Sequence, residues 1–202
     1  MPPLFSILAT EFFVRQTRTR FPFRYGIASM TEVPHLFLRV RLNVKGQEIH
    51  GLASEGLPPK WFTKDPATTF EQDLPAMLEV IGHAATLARE IAAKPVTFFE
   101  LWTELYRQQK VWASQHAFPP LLSNLGVSLV ERAVLDGFCR ALKQPLHRAV
   151  GENLLGLQLG KIYPVLANSQ PRDFLPAQPL ASVLARHTVG LADPLSPADL
   201  TT

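Results

Sequence analysis

The sequence predicts an α+β domain in which a three-stranded antiparallel meander is packed by a bundle of helices. Two observations predict it. Residues 35–44 alternate, with Leu36, Leu38, Val40, Leu42 and Val44 on one face and Arg39, Arg41 and Asn43 on the other, the period of a strand buried on one side. Beyond residue 69 the period lengthens to three and four, and Leu74, Met77, Leu78, Ile81, Ala84, Ala85, Ala88 and Ile91 form one helical stripe. Strands that precede the helices, rather than alternate with them, place the helices on one face of an antiparallel sheet.

The elements follow in order. Residues 10–20 are rich in aromatic and β-branched types and predict the first strand. Residues 21–34 contain Pro22, Gly26 and Pro34 and predict a long loop. The second strand, 35–44, turns tightly at Lys45-Gly46 into a third, Gln47–Ser54, as a hairpin. Gly56, Pro58 and Pro59 stop the sheet. A first helix is expected over 69–93 and a second over Thr97–His116, with Phe98, Leu101, Leu105 and Trp112 inward. A third carries Leu122, Gly126, Val127, Val130, Ala133, Val134, Phe138 and Ala141 on one stripe. Its small residues Ala133, Gly137 and Ala141 admit close approach of another element. Lys161–Ala167 is short, apolar and β-rich, which predicts a buried strand.

Composition narrows the functional classes. Of 202 residues 47% are apolar and 18% charged, enough apolar material for a packed core. No apolar run is long enough to span a membrane, and Met1–Leu8 lacks the basic start of a secretory leader. The single cysteine, Cys139, cannot form an internal disulfide and suits a cytoplasmic setting. The basic residues of the first strands alternate with apolar ones and form a wet sheet face, so no nucleic-acid partner is expected.

One segment is specific. Gly126-Val127-Ser128-Leu129-Val130-Glu131-Arg132-Ala133-Val134-Leu135-Asp136-Gly137-Phe138-Cys139-Arg140-Ala141-Leu142, followed by Pro145-Leu146, resembles a helix of the enolase superfamily, of the mandelate-racemase and muconate-lactonizing kind. Ala133, Leu135, Asp136, Arg140, Ala141, Leu142, Pro145 and Leu146 fall at that pattern's positions. Two departures mark a divergent branch: Leu135 stands where many members have Trp, and no Gly-Gly follows the Pro-Leu.

The resemblance implies an N-terminal capping domain over residues 1–155 and the start of an incomplete (β/α) barrel over 156–202. The chemistry of such enzymes is Mg²⁺-assisted abstraction of the proton α to a carboxylate, of racemase, cycloisomerase or dehydratase type. Its base comes from a Lys-x-Lys and its metal ligands from spaced carboxylates on barrel strands. No Lys-x-Lys occurs here, and only Asp193 and Asp199 carry carboxylates after residue 173. The expectation is therefore a truncated, inactive piece with no catalytic residue and no bound metal, which meets a small carboxylate only when completed by a barrel. The capping segments would be Arg20–Met30 and Glu55–Phe62. Arg24 and Lys60 would attract the anion, and Tyr25, Trp61 and Phe23 would seal the site.

The alternative is a stand-alone capping-type interaction module without catalysis. Exposed apolar helix faces predict self-association and a homo-oligomer. His83 and His116 lack carboxylate or thiol partners at ligand spacing. Ser54 and Ser128 lack a base, His187 is isolated, and Cys139 beside an apolar stripe is expected to pack rather than react.

Overall fold

The computed structural model describes residues 1–25, 27–186 and 196–199. Strands β1 (Phe5–Tyr25), β2 (Ala28–Val44) and β3 (Gln47–Gly56) form one antiparallel sheet in that order. The hairpin between β2 and β3 is the expected tight one. Val44 pairs with Gln47 across Lys45 (φ 52°) and Gly46 (φ 85°), both left-handed as a type I′ turn demands.

Helices α1 (Phe70–Ile91) and α3 (Pro120–Leu142) cover one face of this sheet, and α2 (Phe98–Gln115) packs against both of them. The first two start on reciprocal capping boxes. The Thr69 hydroxyl accepts from the Gln72 N–H while Gln72 Oε1 accepts from the Thr69 N–H, and Thr97 and Glu100 repeat the arrangement. Lys143 closes α3 in the left-handed conformation, φ 53°. Short helices α4 (Leu146–Gly151) and α5 (Leu159–Ile162) follow. The core lies between sheet and helices, where Leu36, Leu38, Val40, Leu42 and Val44 meet Met77, Ile81, Leu105, Val130, Val134 and Phe138. The fold is α+β, as the two periodicities require.

α3 is the central element, packing on β2, β3, α1 and α2. Its contact with β3 is close because both sides are glycine. A Cβ on Gly51 would lie 2.0 Å from the Ala133 carbonyl oxygen and 2.6 Å from the Gly137 nitrogen. Off the apolar stripe, Arg132, Asp136 and Arg140 reach the free edge of β3. Arg132 Nη1 donates to the Ser54 carbonyl (3.0 Å), the Leu52 N–H donates to Asp136 Oδ2 (3.0 Å), and Arg140 Nη1 donates to the His50 carbonyl (2.9 Å). Four helical residues advance about 6 Å and two strand residues about 6.7 Å. A side chain every fourth residue of α3 therefore meets a backbone group every second residue of β3, and the edge strand is closed by a helix.

The motif that carries the resemblance is thus structural on this face. Asp136→Ala should lower the unfolding free energy by about 0.5–1.5 kcal/mol, since the exposed Leu52 N–H exchanges its carboxylate acceptor for water. Asp136→Asn, which keeps an acceptor, should cost markedly less. Urea unfolding of the two variants measures both, and an unchanged Asp136→Ala midpoint would remove the claim.

Two expectations are corrected. Residues 21–34 do not form a long loop: β1 continues to Tyr25 and β2 begins at Ala28, so 21–25 and 28–34 belong to a two-stranded ribbon that outruns β3. The prolines fit because of where they stand. Pro22 falls in the register shift between Arg18 and Phe23. Pro34 turns its carbonyl to the β3 side, where it accepts from the Leu57 N–H at 2.9 Å, and β3 pairing has ended at His35–Gly56. Its missing N–H therefore breaks no ladder bond.

Residues 161–167 do not form a strand either. They end α5 and continue as a 3₁₀ turn at Pro164–Leu166. A buried strand needs neighbours for its backbone groups. Here they are satisfied locally, with the Tyr163, Leu166 and Ala167 N–H groups donating to Leu159, Tyr163 and Pro164 carbonyls. Among the described residues, no helix is long and apolar enough to cross a membrane.

Candidate functional site

The expected capping segments meet at one end of the sheet. β1 alternation puts Phe23 and Tyr25 on one face of the ribbon, and the 3₁₀ turn Pro59–Trp61 after β3 brings Trp61 against it. The Tyr25 and Trp61 rings stack with centroids 5.3 Å apart at 15°, and Phe23 stacks on Tyr25 at 5.8 Å. Burial pushes the Tyr25 phenol above its ordinary value. Trp61 remains 53% exposed, so much of its indole is open to solvent. Arg24 lies between Phe23 and Tyr25 in sequence, so it projects from the opposite ribbon face and is exposed. It does not join the stack.

Lys60 is placed differently from a substrate contact. Its ammonium sits 2.6 Å from Asp73 Oδ2, 2.7 Å from the Asp65 and Thr68 carbonyls and 2.8 Å from Thr68 Oγ1. Three protons face four oxygens, and the charge is matched by a carboxylate whose side chain is 6% exposed. No donor is left for a ligand. Lys60 ties residues 60–73 together and so holds Trp61 beside Tyr25. Between ribbon and α1 lies a hollow of about 650 Å³, bordered by Gln16, Tyr25, Met30, Pro34, Lys60 and Leu74.

The other residues singled out by sequence have ordinary roles. His83 and His116, distant along the chain, come to the same indole: His83 stacks on Trp112 at 3.8 Å and His116 lies 4.8 Å from it. His83 Nδ1 is 2.6 Å from Gln109 Oε1, and Gln109 Nε2 donates to the Val80 carbonyl. Cys139 is half-buried, and burial together with Asp136 raises its thiol pKa, which disfavours the reactive thiolate. The Ser54 carbonyl receives Arg132, Ser128 is exposed, and His187 lies outside the described residues. No group of three or more His, Cys, Asp or Glu residues that could hold a metal ion occurs among the described residues. The magnesium chemistry implied by the family resemblance therefore finds no ligand set on them.

Glu131 escapes a sequence reading because its burial is created by α2. Desolvation raises its carboxyl pKa, against a hydrogen bond from Trp102 and the charge of Arg132. A folded-state pKa above the unfolded one means that stability is full below the unfolded value and is lost as pH rises through the folded value. Glu131→Gln, which keeps an acceptor for the indole, should raise the melting temperature at pH 7 and leave it unchanged near pH 3. Equal shifts at both pH values would reject that cause.

No family model matches the chain, and no curated protein matches it. Among solved structures it is similar to an enolase from alpha pretobacterium bal199 with bound magnesium, at 17% identity and a TM-score of 0.49, over 73% of this chain and 34% of that one. It is also similar to an enolase from Bradyrhizobium complexed with magnesium and mandelic acid, at 16% identity and a TM-score of 0.46, over 73% of this chain and 35% of that one. The chain spans about a third of the length of both proteins.

Proposed function

We propose that this chain is the capping domain of an enolase-superfamily enzyme and covers a small carboxylate substrate held by a barrel. The observation that carries this reading is the Tyr25–Trp61 stack, which unites the two segments that the helix motif marks as substrate-covering. An enolate is tolerated only where water is excluded and charge is balanced. The aromatic tip supplies the exclusion, while base and magnesium ligands belong to the barrel. Lys60 serves as the anchor of the covering loop, and Arg24, exposed on the ribbon face opposite the stack, lies away from the substrate that the stack covers.

On this reading the chain alone does not exchange the α-proton of 2-hydroxy or 2-aryl carboxylates with D₂O, with or without Mg²⁺. Joined to a barrel polypeptide of the superfamily it does, and Trp61→Ala then raises KM roughly tenfold, as loss of a substrate-covering contact should. Exchange by these 202 residues alone, or an assembled enzyme indifferent to Trp61→Ala, would overturn the assignment. A chain that stays inert with barrels supplied fits the interaction module instead.

A further inference from the structure

The two edges of the sheet are treated differently. The outer edge of β3 is closed by Arg132, Asp136 and Arg140. The outer edge of β1 is covered only at its start, where the Phe5 and Ile7 N–H groups donate to the Val96 and Ala92 carbonyls. From Ala9 onward, among the described residues, no segment pairs with it. At its centre this open stretch is apolar, between polar and charged flanks: Phe12, Phe13 and Val14 are 43%, 46% and 55% exposed. Long open apolar edges recruit another strand.

We infer that the occupant is a second copy of this chain, with β1 pairing antiparallel to β1 about a twofold axis at Phe13. Two independent features select that register. The first is hydrogen-bond parity. In an antiparallel ladder the N–H and C=O of one residue point to the same side. Pro34 directs its carbonyl toward β3, so Leu36, Leu38 and Val40 do likewise. Their β1 partners Gln16, Val14, Phe12 and Thr10 therefore turn their backbone groups into the open edge. A dyad at Phe13 sets Phe12 against Val14 and Thr10 against Gln16 of the other copy, each pair with both backbone groups aimed at its mate.

The second feature is charge. The same dyad sets Glu11 opposite Arg15 on the solvent face, twice, with Phe13 opposite Phe13 between them. Moving the dyad to Phe12 or Val14 sets no acidic residue opposite a basic one. Arg18 and Arg20 cannot replace Arg15, because an even residue opposite Glu11 would break the parity. Glu11 already accepts both Arg39 Nε and Nη2 at 2.9 Å, so it is held in place on that face.

The pairing is also bounded. The register shifts at Ile7/Ala9 and Arg18/Phe23 limit it to the stretch between them. The outer β3 edges of the resulting six-stranded sheet are closed by α3, so assembly stops at the dimer. This inference stands apart from the capping role, which concerns the ribbon tip.

The test is sedimentation of the purified chain over a concentration series, together with three variants whose folding is checked by circular dichroism. The wild type should give a monomer–dimer equilibrium. Val14→Pro removes an edge-facing N–H without touching the β1–β2 ladder, and loses two bonds per dimer, so the dissociation constant should rise roughly thirtyfold. Arg15→Glu should also weaken the dimer. In Phe13→Cys, mild oxidation should yield a covalent dimer, because a non-hydrogen-bonded pair brings Cβ atoms within about 4.5–5.5 Å. A monomer at all concentrations would overturn the inference. So would a dimer, or higher oligomer, indifferent to Val14→Pro, or a failure of Phe13→Cys to cross-link while the dimer persists.

Discussion

Replacing Gly51 with alanine should lower the unfolding free energy by about 3 kcal/mol or more, at the upper end of what overpacking costs. The added methyl would stand 2.0 Å from the Ala133 oxygen and 2.6 Å from the Gly137 nitrogen. Both obstacles are backbone, so no rotamer change relieves them, and α3 must move off the sheet. That movement would loosen the core that Val134 and Phe138 share with Leu42, and pull on the Asp136–Leu52 bond. Gly137→Ala offers the contrast. Its methyl would meet the Leu42 Cδ1 at 2.8 Å, a side-chain end that can turn, and the Gly51 backbone only at 3.1 Å. Alanine also favours the helix by about 1 kcal/mol. Gly137→Ala should therefore cost far less. Urea titration of both variants checks the order, and a Gly51→Ala protein within about 0.5 kcal/mol of wild type would mean that helix and strand are not in contact there.

How legible this was in the sequence depends on the range of each cause. The buried face of β2 was readable because Leu36 to Val44 alternate without a break, and Lys45-Gly46 named its own turn. The helix starts were readable at Thr69 and Thr97, each three residues before a Gln or Glu that completes a capping box. The ribbon was not. Pro22 and Pro34 end a strand only if their missing N–H would have entered the ladder, and that depends on the β1–β2 register shift for Pro22 and on where β3 stops for Pro34. Nor was the failure of residues 161–167 to pair, since an apolar β-rich run becomes a strand only beside another. At the candidate site, Tyr25 and Trp61 were recognised separately by type. Their stacking, and the displacement of Arg24 to the other face, follow from β1 continuing through a region that two prolines and a glycine argued against. The Lys60 anchor is illegible for the same reason: Asp73 is thirteen residues away and reaches it only once α1 has formed.

Lys60→Met should prove nearly as damaging to stability as Gly51→Ala and more damaging to the site. Side-chain exposures of 13% for Lys60 and 6% for Asp73 make this a buried pair, and removing one member of such a pair costs about 3–5 kcal/mol because the other charge is left without water or partner. Thr68 Oγ1 still donates to Asp73 at 2.9 Å, which favours the low end. The Asp73→Leu, Lys60→Met double variant should recover part of the loss, since no charge is then stranded, but not all, because the Asp65 and Thr68 carbonyls also lose the ammonium. A double-mutant cycle should return a coupling of about 2 kcal/mol between the two residues. The spatial consequence separates an anchor from a substrate contact. Without its tie, the turn at Pro59–Trp61 should swing away from the ribbon, and the Trp61 emission should shift as Tyr25 leaves its face. Arg24→Ala, on the other ribbon face, should change neither stability nor emission. If Lys60→Met left the fold and the Trp61 signal intact, the ammonium would be free for a ligand and the loop would have to be held by something else.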